Sequence, residues 1–167
     1  ILELVTYSPI YNELKDKDNF HWGNLGGTGI DVLIYAYDSL LISKNNWSTL
    51  KFLSALNSCK QQAVFWHNQT TIYSEHKTLN GFYDAILDLL DGLVESTSGI
   101  YGRPSDYVIM PPANYESPEQ VMAYFQACYA EIQEDRKTIY QETWIQNQVD
   151  EIAQLFAETI YLLSLNK

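Results

Sequence analysis

FWHNQTTIYSEHKTLNGFYDAILDLLDGLVE, residues 65–95, holds two of the chain's three histidines and a patterned set of carboxylates. From Ser74 onward Leu79, Phe82, Tyr83, Ile86, Leu87, Leu90, Leu93 and Val94 recur at intervals of three and four. That periodicity predicts a helix with one buried stripe, and His76 is expected at the centre of the stripe. Asp91 and Glu95 stand one helical turn apart. At about 100° per residue they project roughly 60° and 100° from His76, on one edge of the same face. Fifteen residues separate His76 from Asp91, or about 22 Å of helix. One helix therefore cannot bring them to one metal ion, and a joint site needs the antiparallel helix of a second subunit.

Working outward, Leu50, Leu53, Leu56, Cys59, Ala63 and Trp66 form the stripe of a preceding helix ending at His67. Asn45-Asn46-Trp47-Ser48 offers its caps. Gly99 to Tyr115 reads as a long loop with Gly102, Pro104, Pro111 and Pro112, and its tyrosines and aliphatics predict packing on the bundle or on a neighbour. Ser117-Pro118-Glu119-Gln120 is the clearest helix start, with Ser117 at the N-cap, Pro118 at N1 and Gln120 closing a capping box. Val121, Tyr124, Phe125, Cys128, Tyr129 and Ile132 supply a third buried face. Ile145, Val149, Ile152, Phe156, Ile160 and Leu163 supply a fourth, on a helix over about 142–163. The expected fold is all-α: a ferritin-like four-helix bundle over 48–167 with an N-terminal extension over 1–47.

The extension is the least legible part. Pro9 ends or kinks any first helix, and Gly23, Gly26, Gly27 and Gly29 form a loop with no Gly-Lys-Ser/Thr to mark a nucleotide site. Residues 30–41 keep helical spacing. His21 has no partner in view, and a packing or loop role is expected. The first residue is Ile, so a preceding segment is expected to have been removed.

The residues 67–79 and 91–95, with Gly99-Ile-Tyr-Gly-Arg103 and Ile145-Gln-Asn-Gln-Val-Asp-Glu-Ile152, resemble small tailed-phage proteins of unknown function with a ferritin-like bundle. The likeness covers roughly residues 50–167. More distantly, His67, His76, Asp91 and Glu95 resemble the ligand pattern of the starvation-induced DNA-binding mini-ferritins, whose iron sites lie between subunits. Two departures stand out: the segment between the histidines is shorter than in that family, and Asn80 occupies a carboxylate position. The resemblance implies iron or zinc at a subunit interface, with ferrous oxidation as the activity, and metal ligands His67, His76, Asp91 and Glu95.

Counting residues constrains both likenesses. The chain lacks any Glu-x-x-His, so a di-iron centre within one subunit is excluded. The same histidines and carboxylates could instead satisfy one another across a dimer seam. Glu75, Lys77, Asp84 and Asp88 are expected on a solvated face, and Asp150 and Glu151 are either exposed or hydrogen-bonded in the bundle. The 167 residues suffice for one packed domain. A net charge of −11 with only 10 Lys and Arg argues against a nucleic-acid partner. Cys59 and Cys128 read as free buried thiols more readily than as a disulfide. No stretch approaches a membrane span, so a virion or host-cytoplasm location is expected. The favoured function is that of an oligomeric structural or accessory protein contacting its own copies or other phage structural proteins; the alternative is a metal-binding mini-ferritin relative.

Overall fold

The computed structural model describes the backbone of residues 29–108 and 110–165, and their side chains from Thr49 onward. It holds four helices: α1 (Gly29–Gln69), α2 (Tyr73–Tyr101), α3 (Pro118–Asp135) and α4 (Thr143–Ser164). The chain divides into two compact units, Ile1–Lys44 and Asn45–Lys167, and the second holds α2, α3, α4 and α1 from Asn45 onward. The glycines before Gly29, Pro9 and His21 lie outside the described residues. α1 passes through Asn45–Ser48 without a break, so those residues are not caps. Cap-forming side chains supply a start only where the preceding backbone leaves the helix, and here it does not.

Local signals account for the other helix ends. α3 begins as the sequence predicts, with Pro118 in its first turn and Ser117 Oγ accepting from Gln120 N at 3.3 Å. Gln120 returns the bond to the backbone N–H of Glu116 (2.8 Å), one residue before the expected partner. α2 continues through Gly99, Ile100 and Tyr101, which the sequence reading placed in the loop. It stops where Gly102 takes φ 83°, a left-handed conformation that glycine adopts without cost.

Cross-helix contacts give the topology. Gln148 Nε2 donates to Ser96 Oγ (2.9 Å) and the Tyr101 hydroxyl to Glu142 Oε2 (2.6 Å), so α4 runs antiparallel to α2. Trp66 lies edge-on to Tyr124 (5.1 Å) while Lys51 pairs with Glu131 (3.2 Å), so α3 runs antiparallel to α1. With α1 and α2 joined by a three-residue turn, α2 and α3 point the same way. Residues 102–117 must therefore travel back along the bundle, the single long crossover of ferritin-like folds. At the centre Phe82, Phe125 and Phe156 meet, with edge contacts of 4.8 and 4.9 Å, knitting α2, α3 and α4 together. Leu56, Ile86, Leu93, Val149 and Ile152 fill in around them, all buried. Each such side chain stabilises the fold by about 1.5–3 kcal/mol on burial.

A polar stripe on α1 holds the crossover. Val108 N donates to Ser54 Oγ (3.1 Å) and Met110 N to Ser58 Oγ (3.2 Å). Gln62 both accepts from Ala113 N (2.7 Å) and donates to Ala113 O (2.8 Å), and Gln69 accepts from Tyr115 N (2.7 Å). From Ser54 to Ser58 the match is one of pitch, since two extended residues advance about 6.6 Å and four helical residues about 6 Å. Beyond Met110 the steps are uneven, with Gln62 meeting Ala113 and Gln69 meeting Tyr115.

Candidate functional site

The turn between α1 and α2 brings His67 and His76 together. Their rings stack at 3.8 Å between centroids and 21° between planes, and Tyr83 meets His67 edge-on at 5.2 Å. Each ring also bonds the other residue's backbone: His67 Nδ1 lies 2.9 Å from His76 O, and His76 Nδ1 lies 2.9 Å from His67 O. A carbonyl only accepts, so both Nδ1 atoms carry the proton, and in the neutral ring Nε2 keeps its lone pair. Both histidines are half-buried, so His76 lies beside the buried stripe and not at its centre.

The stripe is occupied instead by Glu75, which corrects its assignment to a solvated face. Glu75 is 0% exposed, in line with Leu79, Phe82, Ile86, Leu90, Leu93 and Thr97. Its spacing of four from Leu79 extends the apolar register backwards, and the register overrides the polarity of the side chain. Neither carboxylate oxygen has a hydrogen-bond partner among the described residues, and Trp66 Nε1 is likewise buried without one. Burial pushes the Tyr115 phenol up, and the Glu75 carboxylate adds to that rise without reaching hydrogen-bond geometry. A buried carboxylate without a partner costs several kcal/mol, which makes this corner the least satisfied part of the bundle.

Asp91 and Glu95 are exposed on α2, far along the axis from His76. The chain thus unites the two histidines and leaves the two carboxylates apart from them. Among the described residues no three His, Cys, Asp or Glu side chains converge as a metal site. Asn80 donates to Asp84 Oδ2 (2.5 Å), and Lys77, Asp84 and Asp88 are exposed as expected. Leu87, expected in the stripe, is also exposed.

The α3–α4 corner is closed differently. Gln146 Nε2 donates to the carbonyls of Arg136 (3.0 Å), Ile139 (3.0 Å) and Tyr140 (2.7 Å). Its Oε1 accepts from Arg136, whose Nη2 also pairs with the exposed Asp150 (2.5 Å). Glu151 is exposed. Tyr140, buried at φ 47°, is held left-handed within this clasp.

A second cluster joins α1 to α3. Cys59 and Cys128 are free thiols with sulfurs 3.0 Å apart, and the Tyr124 hydroxyl lies 3.6 Å from Cys59 Sγ. The thiol of Cys128 lowers the pKa of Cys59, and the same hydrogen bond, with burial, raises that of Cys128. Nothing in the spacing of 59 and 128 signals this pairing. The Ser54, Ser58, Gln62 ladder was also missed, although polar residues four apart beside an apolar stripe could have pointed to it. Gln146 gave no such sign.

A four-helix bundle with one long crossover and a histidine-clasped corner is the class of protein defined here. Residues 67–163 match the family of unknown function DUF5856, and the chain belongs to that family. The matched region starts at His67 and takes in the histidine corner, the crossover and the Gln146 clasp. Comparison with curated proteins and with solved structures gave no match.

Proposed function

We propose that this chain acts through protein–protein contact, as a self-associating structural or accessory bundle of the kind its tailed-phage likeness suggests. The supporting observation is the outer surface of the α2–α4 pair. At one end Ile100 and Trp144 are exposed at the same level of the antiparallel pair. At the other, Tyr73, Tyr161, Leu162 and Leu165 are exposed. Large apolar side chains gathered on a polar, acidic surface are what an interface leaves uncovered when a subunit stands alone. Light scattering over a range of concentrations tests this: a defined oligomer is expected, shifted toward monomer in the double variant Ile100→Glu, Leu162→Glu. A wild-type protein monomeric at every concentration sinks the reading.

One observation favours a second reading, a metal site between subunits. A histidine whose Nδ1–H is tied to a carbonyl presents Nε2 in the orientation-fixed form typical of metal ligands. His67 and His76 are both in that form. Within one chain the donor set does not fit an ion, since Asp91 and Glu95 stand apart, so the carboxylates must come from a second copy. Elemental analysis after equilibration with iron or zinc distinguishes the two readings. Metal retained by the wild type and lost by His76→Ala favours this one; a metal-free oligomer favours the first.

A further inference from the structure

We propose that Cys59 and Cys128 are a peroxide-reactive dithiol that closes to an intramolecular disulfide, stapling α1 to α3. The sulfurs already face each other at 3.0 Å across the helix pair. A disulfide needs about 2 Å, so closure requires a movement of only about 1 Å, within reach of a χ1 adjustment. Cys59 and Cys128 both line one narrow cleft with Phe52, Leu56, Glu131 and Asp135, the assigned approach for hydrogen peroxide. Cys59 is the buried partner at 4% exposed, and Cys128 is half-buried on the cleft side.

The two sulfurs are chemically unequal. The Tyr124 hydroxyl donates to Cys59 Sγ at 3.6 Å, which favours the thiolate on Cys59, the sulfur whose pKa is lowered. In the first step the Cys59 thiolate attacks one peroxide oxygen. The O–O bond breaks, hydroxide leaves and takes up a proton as water, and Cys59 becomes a sulfenic acid. In the second, the Cys128 sulfur attacks the Cys59 sulfur. The S–S bond forms, the S–O bond breaks, and the departing hydroxide carries off the Cys128 proton as a second water. Two thiols together lose two electrons and two protons, and one peroxide is reduced to two waters. A thiol reductant such as dithiothreitol reverses the bond by exchange. The product would tie α1, which carries the crossover strap, to the helix that the strap leads into.

Treating the full-length protein with a small excess of hydrogen peroxide and quenching with N-ethylmaleimide under denaturing conditions tests this. The expected result is an intact mass lower by two hydrogens, no alkylated cysteine, and a non-reducing peptide map joining the Cys59 and Cys128 peptides, all reversed by dithiothreitol. In Cys128→Ser the sulfenic acid on Cys59 should persist and be trapped by dimedone. Two alkylatable thiols after treatment, a disulfide between copies, or irreversible oxidation of either cysteine would each overturn the proposal. Trapping by dimedone at Cys128 in Cys59→Ser, with none at Cys59 in Cys128→Ser, would overturn the assigned order of attack.

Discussion

The two short corners of the bundle solve the same problem with different completeness. Each must reverse the chain within a few residues and satisfy the backbone carbonyls that a helix end leaves open. At the α3–α4 corner, one amide, Gln146 Nε2, takes three carbonyls, and its oxygen is in turn held by Arg136. At the α1–α2 corner two imidazoles each take one carbonyl and stack on one another, while Glu75 and Trp66 beside them are buried with polar atoms unpartnered. The first corner closes its carbonyls with a side-chain clasp, although Asp135 Oδ2 and the Tyr140 hydroxyl are buried there without a partner among the described residues. The second keeps titratable rings and an unsatisfied carboxylate at a cost in stability, and structures tolerate that where a group has a use beyond folding.

Breaking the Gln146 clasp should have the largest effect. Gln146→Ala removes an amide whose two N–H groups are shared among three carbonyls and leaves those carbonyls without it, so a loss of about 2–3 kcal/mol is expected from denaturant unfolding. Glu75→Met tests the other corner and should move stability the opposite way. Replacing an unpartnered buried carboxylate by an apolar side chain of similar length should raise it by about 1–3 kcal/mol. A destabilised Glu75→Met protein would mean that the carboxylate has a partner in solution.

The histidines sharpen the contrast further. Because each bonds the other's carbonyl, His67→Ala and His76→Ala should each cost about 1–2 kcal/mol, and the double variant should cost less than their sum by about 0.5–1 kcal/mol. Strict additivity would mean that the stacked pair does not act as a unit. The smallest effect is where α2 meets the start of α4: burial and the Glu142 carboxylate push the Tyr101 phenol up to about 12. The folded pKa is raised, so the stabilisation is fully present below the unfolded value near 10 and is lost as pH rises from there through about 12. Tyr101→Phe should flatten the fall in stability over that window, and a tyrosinate difference titration by absorbance should place the missing ionisation near its upper end.

Much of the bundle was legible from local pattern. The stripes of α2, α3 and α4 and the Ser117–Gln120 cap follow from spacing and capping chemistry, because a helix's buried face is set by angle about its own axis. The errors were also angular. Leu79, Phe82, Ile86, Leu90 and Leu93 of the expected α2 stripe are buried, but placing His76 at its centre was one residue off and Leu87 is exposed. Stepping back by four from Leu79 reaches Glu75, the residue that is buried. Asn45–Ser48 looked like a helix start by composition, but capping residues are permissive within a helix and do not compel a break.

By itself the sequence determined that this chain is helical, which faces turn inward, and that His67 and His76 flank one short turn. Only the tertiary structure decided that those rings stack, that Cys59 meets Cys128 across sixty-nine positions, that Ser54, Ser58 and Gln62 read an extended strap, and that Glu75 is buried with no hydrogen-bond partner among the described residues. The division has a physical cause: periodicity gives each residue's direction from its own helix axis, whereas its partner depends on the relative shift and order of helices packed around it, which only the assembled core selects.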